Sequence, residues 1–185
     1  MQERRSKESS KKAQYTVLSQ KPDSYNVRSF KDTVTNQGAR LFLGKFSRTI
    51  DAKSRFTLPP AFQAELAGGG YMTQGFDRNL QILTGEAFRK VVRRASALNL
   101  ADPLARQLLR LLLATAVPVQ TESQSTVTVP ENLKEFAALH SDVVLIGQGD
   151  YIEIWAPEMW EKQEAQLQDA EANASRFSAL DVVTH

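Results

Sequence analysis

The densest set of side chains able to do chemistry lies in eleven consecutive residues, Lys45-Phe46-Ser47-Arg48-Thr49-Ile50-Asp51-Ala52-Lys53-Ser54-Arg55. Four of them are basic and one is acidic. The order reads as a strand, a tight Asp-Ala-Lys-Ser turn and a second strand, which predicts a hairpin with Lys53 and Arg55 projecting from its tip. Such a tip suits a DNA groove, because arginine can bond guanine edges or phosphate and lysine can bond phosphate. Arg48 would support them. Asp51 has a different role: its carboxylate can accept from backbone N–H groups across the turn and orient Arg55 by a charge-assisted bond. The same composition also describes an ordinary surface hairpin, whose Asp–Arg pair is worth about 0–1 kcal/mol.

Other chemistries find few residues. The 185-residue chain has no cysteine, which excludes disulfides, thiolate metal sites and a cysteine nucleophile. Its two histidines, His140 and His185, have no third ligand at metal-binding spacing. No Gly-x-Ser-x-Gly elbow, P-loop or dinucleotide fingerprint occurs, and Gly68-Gly69-Gly70 reads as the end of the preceding helix. The expectation is therefore no enzyme, no cofactor, no metal and no small-molecule substrate. Residues 108–119 form the longest strongly apolar run, which Arg110 interrupts and which is too short to cross a bilayer. With no apolar segment of signal-peptide type at the start, the expected setting is the cytosol, with no membrane partner.

The elements that must position the cluster follow from composition and pattern. With 42% apolar and 24% charged residues the chain can bury an ordinary core. Its net charge of +2 hides an asymmetry. Residues 1–40 hold nine cations against four acids, so the rest of the chain is mildly acidic and can grip nucleic acid only where cations are concentrated. Residues 1–40 are polar and without period, and read as a disordered extension, either a solvated leader or a basic arm.

Beyond residue 40 the chain repeats itself. Arg55-Phe56-Thr57-Leu58-Pro59 runs into a helix over 61–66, and Thr126-Val127-Thr128-Val129-Pro130 runs into a helix over 131–138, with the prolines 71 residues apart. Each helix leads to a strand pair, 71–75 with 79–83 and 143–147 with 151–155, joined by a Gly/Asp-bearing turn, and then to a further helix. Phe56 and Leu58 should point to a core while Arg55 and Thr57 point away. Between the halves, Asp102 caps and Pro103 opens a helix with Leu104, Leu108, Leu111 and Leu112 in a stripe that Leu109 and Leu113 broaden. A helix so widely apolar should be buried between the halves or against a second subunit. From Pro157 to about Phe177 one exposed polar helix is expected.

These residues resemble a known family. The run Phe42-Leu43-Gly44 followed by Ile50-Asp51-Ala52-Lys53-Ser54-Arg55-Phe56-Thr57-Leu58-Pro59 is similar to the opening of MraZ, a family of bacterial transcriptional regulators. So are Arg106-Gln107-Leu108-Leu109-Arg110-Leu111-Leu112-Leu113-Ala114, and Val143-Val144-Leu145-Ile146-Gly147 through Tyr151-Ile152-Glu153-Ile154-Trp155. The resemblance implies an α+β fold of tandem duplicated AbrB-like, swapped-hairpin β-barrel modules with short helices, assembled into homo-oligomeric rings. It implies modules at 41–98 and 117–165, a linking helix at 99–116 and a C-terminal helix end and tail at 166–185. It also implies cytoplasmic, nucleoid-associated binding to repeated boxes of double-stranded promoter DNA in the division and cell-wall gene cluster. The contacting element would be an Asp-x-x-x-Arg hairpin, with Arg55, Lys53 and Arg48 as DNA contacts and Asp51 and Ser54 shaping the tip. Leu108, Leu111, Leu112, Arg106 and Arg110 would form the subunit or inter-module interface.

Three departures from that pattern stand out. Ser54 replaces the glycine usual before the arginine, which would strain the tip if φ there is positive. The second Asp-x-x-x-Arg reads Glu122-Ser123-Gln124-Ser125-Thr126, without a cation. The family opens near Phe42, so residues 1–40 are expected to be upstream sequence read in frame, with Leu41 at an alternative start codon. With half the motif gone, a second reading is an assembly module that binds a protein through an apolar surface around Phe136, Val144, Trp155 and Trp160.

Overall fold

The computed structural model describes residues 41–119 and 125–180. The expected leader at 1–40 lies outside the described residues, as do Glu122, Ser123 and Gln124 of the second motif.

Each half contributes the same order of elements. The first holds β1 (Phe42–Thr49), β2 (Arg55–Thr57), α1 (Pro60–Gln63), β3 (Gly70–Gln74), β4 (Leu80–Thr84) and α2 (Gly85–Ser96). After α3 (Pro103–Leu113) the second holds β5 (Val117–Val119), β6 (Thr126–Thr128), α4 (Glu131–Phe136), β7 (Asp142–Gly149), β8 (Tyr151–Trp155) and α5 (Pro157–Leu167), followed by α6 (Ala170–Phe177). Pro59 and Pro130 sit at the helix N-caps with nearly equal backbone angles, φ −55° and −59°. A proline there has the φ a helix start needs and lacks an N–H that would go unbonded anyway.

Pairing exchanges strands between the halves. A six-stranded antiparallel sheet runs β1-β7-β8-β4-β3-β5, and a two-stranded one pairs β2 with β6. Exchanging first-half strands for their second-half counterparts returns the same order, so an internal pseudo-two-fold passes between β8 and β4. The predicted hairpin of β1 and β2 does not form as a ladder. β1 pairs with β7 and β2 with β6, because beyond the turn the chain leaves the large sheet to start the small one. Among the described residues the large ladder remains open, with β1 and β5 as its edges. The turn predicted at 147–150 is also shorter, since β1 pairs with β7 as far as Gly149.

The two sheets enclose one core drawn from both halves: Phe42, Phe56, Leu58 and Phe62 from the first, Val127, Val129, Leu133 and Leu145 from the second. The Phe62 ring meets Phe42 and Phe46 edge-on at 5.4 and 5.0 Å. Each such side chain contributes about 1.5–3 kcal/mol by leaving water. Phe56 and Leu58 alternate inward with Arg55 and Thr57 outward, as the pattern predicts.

The helices cover the sheet's other face. α2 lays Ala87 and Phe88 on Leu83, with Tyr71 stacked on Phe88 at 4.3 Å. α5 sets Met159 and Trp160 on Val144, Ile146 and Trp155. Val144 and Trp155 are therefore buried, and the apolar surface predicted around them is covered by this chain's own helix. The predicted C-terminal helix is two, because Asp169 caps a new start by accepting from Ala172 N.

Helix α3 also departs from expectation. Asp102 caps it, accepting from Leu104 N at 2.9 Å, and Pro103 opens it. Its one fully buried residue is Ala105, however, and Leu104 is 71% exposed. The helix packs against α2 and β3 along one side only, so Leu108, Leu111 and Leu112 are half-buried. No helix among the described residues is long and apolar enough to cross a membrane.

Candidate nucleic-acid interface

The turn between β1 and β2 is built around one carboxylate. Asp51 Oδ1 accepts the backbone N–H groups of Lys53 and Arg55 at 2.8 and 2.9 Å. Its Oδ2 accepts Nε and Nη2 of Arg55 at 2.9 and 2.8 Å. The main chain closes the same loop: Asp51 N donates to the Arg55 carbonyl at 2.8 Å, and Ser54 N donates to the Asp51 carbonyl at 2.9 Å. An aspartate at the first position suits such a turn because its short side chain reaches amides two and four residues on. The Arg55 guanidinium holds the Asp51 carboxyl below its ordinary value of 3.8, opposed by desolvation and reinforced by the Arg55 and Lys53 amides.

Arg55 thus does not project from the tip as a lone finger. Its side chain folds back on Asp51, which fixes the plane of the guanidinium on the turn's flank. Lys53 stands at the tip, exposed, with no side-chain partner among the described residues. Ser54 adopts φ 56°, the left-handed conformation in which an L side chain is strained. Its hydroxyl lies 3.4 Å from Glu131 on α4.

Arg48 is the third cation. It sits near the end of β1, where Nε donates to the Thr57 carbonyl at 3.1 Å and Nη1 to the Ser47 carbonyl at 2.7 Å. Its guanidinium also lies 5.8 Å from the Phe46 ring centre. Arg48 therefore ties β1 to β2 beneath the turn. Behind it, Ile50 N donates to the Ser141 carbonyl at 2.7 Å, anchoring the turn's entry to the second half. The cluster's remaining cation, Lys45, points elsewhere: its ammonium pairs with Glu164 and lies 5.9 Å from the Trp160 ring centre.

The structure brings Arg48, Asp51, Lys53, Ser54 and Arg55 together at one corner. It does not bring the other predicted residues there. Leu108, Leu111 and Leu112 sit on α3, where Thr73 Oγ1 donates to the Leu112 carbonyl at 3.0 Å. On the same helix Arg106 Nη1 donates to the carbonyls of Leu100 and Ala101 at 2.6 and 2.9 Å, so it caps the preceding loop. Arg110 is exposed, without a partner among the described residues. Sequence reasoning missed Glu131 and the Thr57 carbonyl, since neither residue type nor local spacing signals contacts set by the β2–β6 pairing.

A rigid turn carrying three cations on a mildly acidic body concentrates positive charge where net charge does not. The family model for the MraZ protein, described as antitoxin-like, matches twice in tandem, at residues 41–111 and 112–181. The transcriptional regulator MraZ of Herpetosiphon aurantiacus is 34% identical over 143 residues, which cover 77% of this chain and 100% of the relative. That of Thermomicrobium roseum is 34% identical, covering 76% and 99%. That of Bifidobacterium longum is 36% identical, covering 70% and 86%.

Proposed function

The chain belongs to the MraZ family, and from that premise we propose that it is a sequence-specific DNA-binding transcriptional regulator that reads double-stranded promoter DNA through the Asp51–Arg55 turn. The single observation that carries this reading is the four-point bracing of that turn by the Asp51 carboxylate. A loop bound only for solvent needs no such rigidity, whereas base recognition needs side chains held in place before contact. In this reading Lys53 contacts phosphate and Arg55 contacts a base edge or phosphate, oriented by Asp51. Arg48 fixes the turn's angle and adds to the local potential.

The reading extends to assembly and setting. The small β2–β6 sheet would complete an AbrB-like barrel around the shared core. Homo-oligomers, as rings, would multiply one weak turn per subunit across repeated promoter boxes of the division and cell-wall cluster by effective concentration. The half-exposed leucines of α3 support a subunit contact there. The site of action would be the cytoplasm, on the nucleoid, with no cofactor.

A gel-shift titration on DNA from the gene's own upstream region tests this, run beside scrambled DNA and an Arg55→Ala variant. The expected result is sequence-selective binding that weakens steeply with salt and loses its selectivity without Arg55. Equal binding of parent and variant to both DNAs would sink it.

A further inference from the structure

Helix α2 carries a second concentration of positive charge that the turn does not account for. Arg89, Lys90, Arg93 and Arg94 are all exposed and lie on its outward side. Ala87, Phe88 and Ala95 face the sheet. Lys90 pairs with Glu86 at 3.0 Å. The side chains of Arg89, Arg93 and Arg94 make no hydrogen bond or ion pair among the described residues, and Arg89 and Arg93 feel the Glu86 carboxylate only through its field. A groove beside the helix is lined by Arg89 and Lys90 together with Glu65, Glu86 and Asp150, while Arg93 and Arg94 lie outside it.

The helix starts at the end of the sheet remote from the Asp51 turn and packs on β3 and β4. Its cap, Thr84, pairs with Gly70, which pairs with Val119 at the end of β5. By the repeat, the segment between β5 and β6 corresponds in sequence to the Asp51 motif, and residues 119–130 contain no lysine or arginine. The end of the sheet beside the motif without cations is thus the end from which α2 starts.

We propose that the outward face of α2 is a second DNA contact, sequence-independent and made to phosphates by Arg89, Arg93 and Arg94. It rests on the regulator reading for the identity of the polyanion. Arg89 and Arg93 are one turn apart, a rise of about 6 Å, close to the ~6.8 Å that two phosphate steps advance along one strand. The outward face of α2 has no exposed large apolar residue. Charge is therefore what this face offers, and phosphate contacts need nothing more.

The test is a triple variant, Arg89→Gln, Arg93→Gln and Arg94→Gln, with a matching triple Arg→Lys variant. Affinity is measured against salt on promoter and scrambled DNA, and mass by sedimentation. Glutamine keeps helix propensity, so circular dichroism should not change. The expected result is an equal loss of affinity on both DNAs, an unchanged ratio between them, and a log–log salt slope shallower by about 2–3. The lysine variant should recover most of the binding. Parental affinity and slope in the glutamine variant would overturn the proposal, as would a changed mass, which would make this face a subunit contact. If the parent binds scrambled and promoter DNA alike and only the glutamine variant loses binding, the α2 contact stands and the regulator reading fails. If the parent binds neither, both fail.

Discussion

Ser54 and Ser125 occupy equivalent corners of the two halves, with φ 56° and 57°, and each lends its carbonyl to the other half. The Ser54 carbonyl accepts Val129 N at 2.8 Å, and the Ser125 carbonyl accepts Leu58 N at 3.0 Å. The left-handed corner is what aims each carbonyl across the β2–β6 pair, so the strain is tied to the fold and not only to the turn. Ser54→Gly should relieve about 1–2 kcal/mol of left-handed strain and lose about 0.4–1 kcal/mol through a looser unfolded chain. The expected net is a gain of up to ~1.6 kcal/mol, read as a thermal midpoint a few degrees higher. A lower midpoint would show that the Ser54–Glu131 contact matters more than the strain.

The Asp51 carboxyl should titrate below 3.8, chiefly because Arg55 bonds its charged form. A folded-state value depressed below the unfolded one means the stabilisation is present above pH 3.8 and is lost as pH falls through the folded value. Carboxyl-carbon NMR should find the lower midpoint, and Arg55→Ala should move it back up. An unmoved midpoint would remove Arg55 as the cause.

Asp51→Asn separates positioning from charge. It deletes a negative charge from the turn proposed to meet DNA, so electrostatics alone would tighten binding. If the carboxylate instead holds the Arg55 guanidinium, selective binding should weaken by about tenfold, the equivalent of a lost charge-assisted bond of ~1.5 kcal/mol. Gel shifts on promoter and scrambled DNA decide between the two directions.

Thr73 is 1% exposed, and its hydroxyl ties β3 to α3 through the Leu112 carbonyl at 3.0 Å and Thr115 Oγ1 at 3.2 Å. Thr73→Val keeps the shape but removes the donor. Urea unfolding should show a loss of about 1–3 kcal/mol, and Thr73→Ser should retain most of the bond. Equal midpoints for Thr73→Val and the parent would mean that α3 is held by packing alone.

Gly147 faces Gly44 across the β1–β7 pair, and a Cβ there would lie 2.4 Å from the Phe42 carbonyl carbon. Gly147→Ala must push β1 off the sheet, which also carries the Asp51 turn. Loss of stability beyond ~3 kcal/mol, or failure to fold, is the expected outcome. Normal thermal unfolding would show that the two strands can part at that point.

Local patterns wrote much of this protein legibly into its sequence. Alternation put Phe56 and Leu58 inside, the prolines at 59 and 130 started helices, Asp102 capped α3, and the repeat spacing announced two equivalent halves. Asp51 as the brace for Arg55 was legible too, because the four-residue spacing lets a short carboxylate reach across its own turn. Each of these rests on interactions between residues close in the chain.

Tertiary structure alone decided which half each strand joins. β1 and β2 look like a hairpin by proximity, yet each pairs with the second half, since burying Phe42, Phe56, Val127 and Leu145 in one core demands the exchange. It also decided that Arg48 ties β1 to the Thr57 carbonyl, that Val144 and Trp155 lie under α5, and that α3 keeps Leu104 in solvent. Period and composition give the apolar side of an element, but what covers that side is fixed by contacts between segments distant in the chain.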